Sequence, residues 1–138
     1  MERKEFLKKS LTLCGLSLIP TAVIESCVKQ STSGPTNVNF TLDLSSSANA
    51  ALNTVGGALI SNNIIIIRAS SSTFHALSAI CTHQGCTVTY NASRSDIYCP
   101  CHGGTYNATT GAVISGPPPS GLSTYTATLS GNILTVKS

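Results

Sequence analysis

Two short segments constrain this chain more than anything else in it: Cys81-Thr82-His83-Gln84-Gly85-Cys86 and Cys99-Pro100-Cys101-His102-Gly103-Gly104. Each presents one thiolate and one imidazole to a metal, as Cys-x-His in the first and Cys-x-x-His in the second. Each also carries one further cysteine. Fifteen residues separate His83 from Cys99. Two thiolates and two imidazoles contributed pairwise from two loops suit an iron pair ligated asymmetrically, with thiolates on one iron and imidazoles on the other. Zinc is the competing reading of a Cys and His cluster. A zinc site, however, gathers four ligands around one ion and commonly pairs them as Cys-x-x-Cys or His-xxx-His. Neither segment has that form, and two cysteines would be left over. A pure disulfide scaffold gives the two histidines no role.

With Gly85, Pro100 and Gly103 also in place, the pattern resembles the Rieske [2Fe–2S] family. The resemblance is to its disulfide-bearing branch, found in cytochrome bc and bf complexes and in some arsenite oxidases, and it covers roughly residues 64–136. It implies one [2Fe–2S] cluster, with Cys81 and Cys99 on the inner iron and His83 and His102 on the outer one. It also implies a disulfide between Cys86 and Cys101, placed alike in the two loops, that clamps them over the cluster. Neutral imidazoles in place of two thiolates make electron uptake easier, lifting the potential into a range of roughly −150 to +300 mV.

The same resemblance points to groups around the ligands. In the high-potential relatives a serine follows His-Gly and a tyrosine stands two positions later, both donating hydrogen bonds to cluster sulfurs. The tyrosine is kept as Tyr106, a further cofactor-binding side chain, but Gly104 stands in place of the serine and Asn107 in place of an aspartate. One donor fewer implies a middle position in the range, and Gly104→Ser is expected to raise it. Gln84 occupies a position that is usually leucine in bc and bf complexes, which implies a wetter tip and a different partner surface. Gly116-Pro117-Pro118-Pro119-Ser120-Gly121 resembles the family's proline loop, a third covering loop beside the cluster.

The rest of the chain reads as all-β. Val38, Phe40, Leu42 and Leu44 alternate with Asn39, Thr41 and Asp43, a half-buried strand. Residues 64–67, four isoleucines, suit a strand covered on both faces. Residues 73–78 form another strand, leading into the first cluster segment. Residues 87–90 and 95–98 predict a hairpin between the two segments, and residues 123–129 and 133–137 a second. Only residues 48–59 could hold a helical turn, and Gly56-Gly57 argues against a long one. The expected architecture is a small antiparallel β-sandwich of the Rieske type, with a cluster-binding subdomain of two loops plus the proline loop. His75, the remaining histidine, is expected on a strand surface. It leaves too few ligands for the second, mononuclear iron of a Rieske oxygenase.

Four of the eight basic residues, Arg3, Lys4, Lys8 and Lys9, lie in the first nine positions. From Cys27 onward the ionic groups are Lys29, Arg68, Arg94, Lys137, Asp43 and Asp96. Nucleic-acid binding needs a basic face that this body lacks. The apolar stretch 11–24 falls short of the ~20 residues of a spanning helix, so residues 1–26 read as a signal peptide. Arg3-Lys4-Glu5-Phe6-Leu7-Lys8 resembles a twin-arginine export motif, and Ile24-Glu25-Ser26-Cys27 a lipobox with Cys27 as the lipidation site. An uncleaved N-terminal anchor is the alternative. Residues 27–37 then form a flexible tether, and residues 38–138 the Rieske domain. A disulfide implies an oxidising compartment, hence an exported domain on the periplasmic side of a bacterial membrane.

The function these readings imply is one-electron transfer by a membrane-associated subunit, related to the iron–sulfur proteins of quinol–cytochrome c or plastocyanin reductases. The redox partners would be a cytochrome b and a c-type cytochrome. The alternatives are the small subunit of a periplasmic oxidoreductase such as arsenite oxidase, beside a molybdenum subunit, or a stand-alone carrier or sensor.

Overall fold

The computed structural model describes residues 33–101 and 103–138. The expected signal peptide, the expected lipidation site Cys27, the first part of the expected tether and the proposed ligand His102 lie outside the described residues.

Ten strands are described, all paired antiparallel. In chain order they are β1 (Asn39–Asp43), β2 (Ala58–Ser61), β3 (Ile64–Arg68), β4 (Phe74–Ser78), β5 (Thr89–Asn91), β6 (Asp96–Tyr98), β7 (Thr105–Asn107), β8 (Val113–Ser115), β9 (Thr124–Ser130) and β10 (Ile133–Lys137). Six build a large sheet in the order β1-β10-β9-β4-β3-β2, and four a small sheet in the order β5-β6-β7-β8. The expected all-β architecture is present, and both anticipated hairpins form.

Apolar patterning explains the layering. β1 alternates exposed and half-buried positions, as its sequence dictates. In β3 all four isoleucines are buried, and the pleat sends them to two different cores. Ile65 and Ile67 join Leu77, Val88, Ile97 and Tyr106 between the two sheets. Ile64 and Ile66 join Leu52, Phe74, Leu134 and Val136 on the other face. Burial of each such side chain contributes on the order of 1.5–3 kcal/mol. The first core continues without a break into Cys81 and Cys99, so the sulfur-bearing end of the molecule rests on the packed interior.

Three strands went unread in the sequence: β2, β7 and β8. β2 pairs with β3 across Asn62-Asn63, whose φ values of 52° and 60° make a tight left-handed turn. Residues 48–59 divide accordingly. A kinked 3-10 helix, Ser47–Asn53, begins at Ser46, whose side chain accepts a bond from Ala48 N–H, and Ala58 and Leu59 belong to β2. Arg68 ties this region together by donating to the carbonyls of Leu52, Ser70 and Ser71.

The described end of the predicted tether is attached to the sheet. The Tyr125 hydroxyl donates to the Pro35 carbonyl at 2.7 Å. Gly34 lies so close to β4 and β9 that a Cβ there would stand 2.7 Å from the Tyr125 hydroxyl and 2.8 Å from Ser78 Cβ. His75 is half-buried on β4, opposite Ile67. Among the described residues no helix is long and apolar enough to cross a membrane.

Candidate iron–sulfur centre

β4 carries the chain out of the large sheet towards the first Cys-His segment, and β6 delivers the second. At the foot of the first loop Val88 N–H donates to Ala79 O at 2.9 Å, and Ile80 bridges Thr87. The two loops above share their described backbone hydrogen bonds. Cys81 N–H donates to Cys86 O at 2.8 Å, and Cys99 N–H to Gly104 O at 2.7 Å. Gly85 N–H donates back to Cys81 O, and Gly103 N–H back to Cys99 O, each at 2.9 Å. The fifth residue is a glycine at φ 74° in one loop and 73° in the other, where a side chain would be strained.

This shared geometry corrects the expected equivalence of the extra cysteines. Cys81 matches Cys99, but Cys86 falls at the position of Gly104 and Cys101 at that of His83. The disulfide itself forms between Cys86 and Cys101, joining the end of one loop to the middle of the other. Thr87, which follows it, is exposed, as are Gln84, Cys101 and Gly103, so the tip is uncharged and open to solvent.

The disulfide leaves Cys81 and Cys99 as reduced, buried thiols. Their side chains hydrogen-bond to each other, and the backbone N–H groups of His83 and Gln84 point at the Cys81 sulfur. The Tyr106 hydroxyl lies 3.3 Å from the same sulfur. Burial pushes the Cys81 thiol up, but the bonds from Tyr106, Cys99 and the two N–H groups outweigh it and hold the thiol below its ordinary range. Burial, and then the neighbouring Cys81, raises Tyr106 above the usual phenol range, so its hydroxyl keeps its proton as a donor. The His83 ring is half-buried, with Nδ1 enclosed.

These groups suit an iron–sulfur cluster. Two thiols from two loops stand side by side, ringed by donors that favour the thiolate, with an imidazole two residues along the first loop. The remaining two sulfurs are locked to each other and cannot ligate. The described residues bring together the side chains of Cys81, Cys99 and Tyr106, with only the backbone N–H of His83 at the Cys81 sulfur; no three His, Cys, Asp or Glu side chains among the described residues form a group that could hold a metal ion.

A small antiparallel β protein with two matched Cys-His loops at one end, clamped by a disulfide, defines a class of iron–sulfur proteins. The chain belongs to the Rieske [2Fe–2S] domain family, whose model matches residues 40–126, and its cofactor is one [2Fe–2S] cluster. Over 59 residues it is 42% identical to the cytochrome b6-f complex iron-sulfur subunit 1 of Nostoc, covering 43% of this chain and 32% of that subunit. Over 55 residues it is 47% identical to subunit 2 of Synechocystis, covering 40% of this chain and 30% of that one. The chain thus spans about a third of the length of these curated relatives. Its fold is similar to that of a cyanobacterial plasma membrane Rieske protein from Synechocystis, with a TM-score of 0.54, 32% identity, and coverage of 64% of this chain and 93% of that one.

The proline loop packs against both cluster loops. Thr82 Oγ1 donates to Ser120 O at 2.6 Å. On the other side Pro118 is buried against Gly104, where a Cβ would stand 2.6 Å from Pro118 Cγ. Pro118 and Ser120 belong to the proline loop expected from the sequence, whereas Thr82 was not singled out. The only signal for Thr82 was its place between two ligand positions. Asn107 proves to be a turn cap, its Oδ1 accepting from Thr109 and Thr110 N–H at 2.8 and 2.9 Å.

Proposed function

We propose that this chain is a one-electron carrier whose cluster is held by Cys81 and Cys99 on one iron and by His83 and His102 on the other. When bound, the [2Fe–2S] cluster takes up and gives back one electron at a time. The observation that carries this reading is the pair of buried thiols set side by side by two matched loops that the Cys86–Cys101 disulfide ties together. The protein's part is to hold those sulfurs as thiolates, donate to them, and leave the histidine-bearing tip exposed for a partner. Tyr106 and the N–H groups of His83 and Gln84 offset negative charge on sulfur, which favours the reduced form.

The wider setting is part of the same proposal. The leader and Cys27 support export and attachment to the outer side of a bacterial membrane. The cytochrome b6-f relatives support redox partners within a membrane complex, and favour that setting over a molybdenum enzyme. A potentiometric titration of the purified protein tests the function. The expected result is a single one-electron wave inside the Rieske range; a two-electron wave, or none, contradicts it.

A further inference from the structure

The hydroxyl of Thr82 sits between the proline loop and Tyr106, and counting protons shows what it does there. Thr82 Oγ1 lies 2.6 Å from the Ser120 carbonyl, which can only accept, so the one proton of Thr82 is committed to that bond. Towards Tyr106, 3.1 Å away, Thr82 Oγ1 is therefore an acceptor. The Tyr106 oxygen itself accepts from Thr82 N–H at 3.2 Å. Its single proton then faces two acceptors, Cys81 Sγ at 3.3 Å and Thr82 Oγ1 at 3.1 Å.

We propose that Thr82 is a positioning residue that tunes the centre: latched to the proline loop through Ser120, its hydroxyl competes with Cys81 for the Tyr106 proton. The state of the proline loop thereby sets how much of the Tyr106 hydrogen bond reaches the sulfur. With the latch closed, the donation is shared. When Ser120 moves away, the Thr82 proton is released and turns to the Tyr106 oxygen, and the Tyr106 proton goes wholly to Cys81. More donation to sulfur stabilises the reduced form, so loosening this loop raises the potential. A partner that shifts the proline loop would change the driving force at the moment of contact.

The inference rests on the reading of Cys81 as a ligand, and the experiment separates the two. The holoprotein, Thr82→Val, Thr82→Ser and Tyr106→Phe, and the Thr82→Val/Tyr106→Phe double variant, are titrated potentiometrically after their visible spectra are recorded. Absence of a two-iron spectrum from the unaltered protein overturns the ligand reading. Given that spectrum, Thr82→Val is expected to shift the midpoint upward, opposite in sign to Tyr106→Phe. Thr82→Ser, which keeps the hydroxyl, is expected to restore the native value. In the Tyr106→Phe background the Thr82→Val shift is expected to vanish. A shift of the same size in both backgrounds, a downward shift, or Ser behaving like Val overturns the proposal.

Discussion

A Cβ placed on Gly104 would stand 2.6 Å from Cγ and 2.7 Å from Cδ of Pro118. The glycine that removes a hydroxyl donor from the second loop is also the residue that lets the proline loop close on it. Gly116 makes the contact mutual, since its own Cβ, at φ 97°, would meet Gly104 Cα at 2.6 Å. Gly104→Ser therefore does more than add a donor. Overpacking of this kind costs about 1–3 kcal/mol. The single variant is expected to lower thermal stability, and the higher potential to emerge in Gly104→Ser/Pro118→Ala, where the opposing ring atoms are gone. Thermal melts and redox titrations of the single and double variants check both halves.

Tyr106→Phe is expected to lower the midpoint potential by removing the donor 3.3 Å from Cys81 Sγ. It also takes away the acceptor of Thr82 N–H. Thr82 is half-buried, so its N–H left without that partner costs at most about 1–3 kcal/mol, and the melting temperature should fall with the potential. Voltammetry and calorimetry on one preparation read the two effects together.

Cys86→Ser or Cys101→Ser is expected to weaken retention of the cluster more than the fold. The bond ties the two loops at their exposed end, while the sheets are held by Ile65, Leu77, Ile97 and their neighbours. The visible absorption should bleach faster in either variant while the far-ultraviolet strand signal stays. Loss of both at the same rate would mean that the sheets depend on the disulfide.

Most of the fold could be read from apolar patterning, because β1 alternates and the isoleucine run of β3 is buried on both faces, as their sequences display. β7 and β8 could not, since each has three residues and takes its place by pairing within the small sheet. β2 was hidden because its turn is Asn62-Asn63, a left-handed pair without glycine. The metal-ligating residue types announced themselves by chemistry and spacing. The contacts around them did not, because a Thr82 bond to a backbone carbonyl 38 positions away depends on how the proline loop lies.

Gly34→Ala is expected to destabilise the domain without moving the potential. A Cβ there would meet the Tyr125 hydroxyl at 2.7 Å and Ser78 Cβ at 2.8 Å, on the sheet rather than at the ligand loops. Melting curves and redox titrations of that variant check the separation.

Everything proposed for this chain rests on a two-iron cluster bound by two thiolates and two imidazoles. The decisive measurement is a quantitative analysis of iron, acid-labile sulfide and zinc in the purified protein, together with the paramagnetic spectrum of its reduced form. Two irons and two sulfides per chain are expected, as the family's cluster contains, with no stoichiometric zinc and a Rieske-type signal that disappears in His83→Ala and His102→Ala. One zinc per chain with no labile sulfide would contradict it.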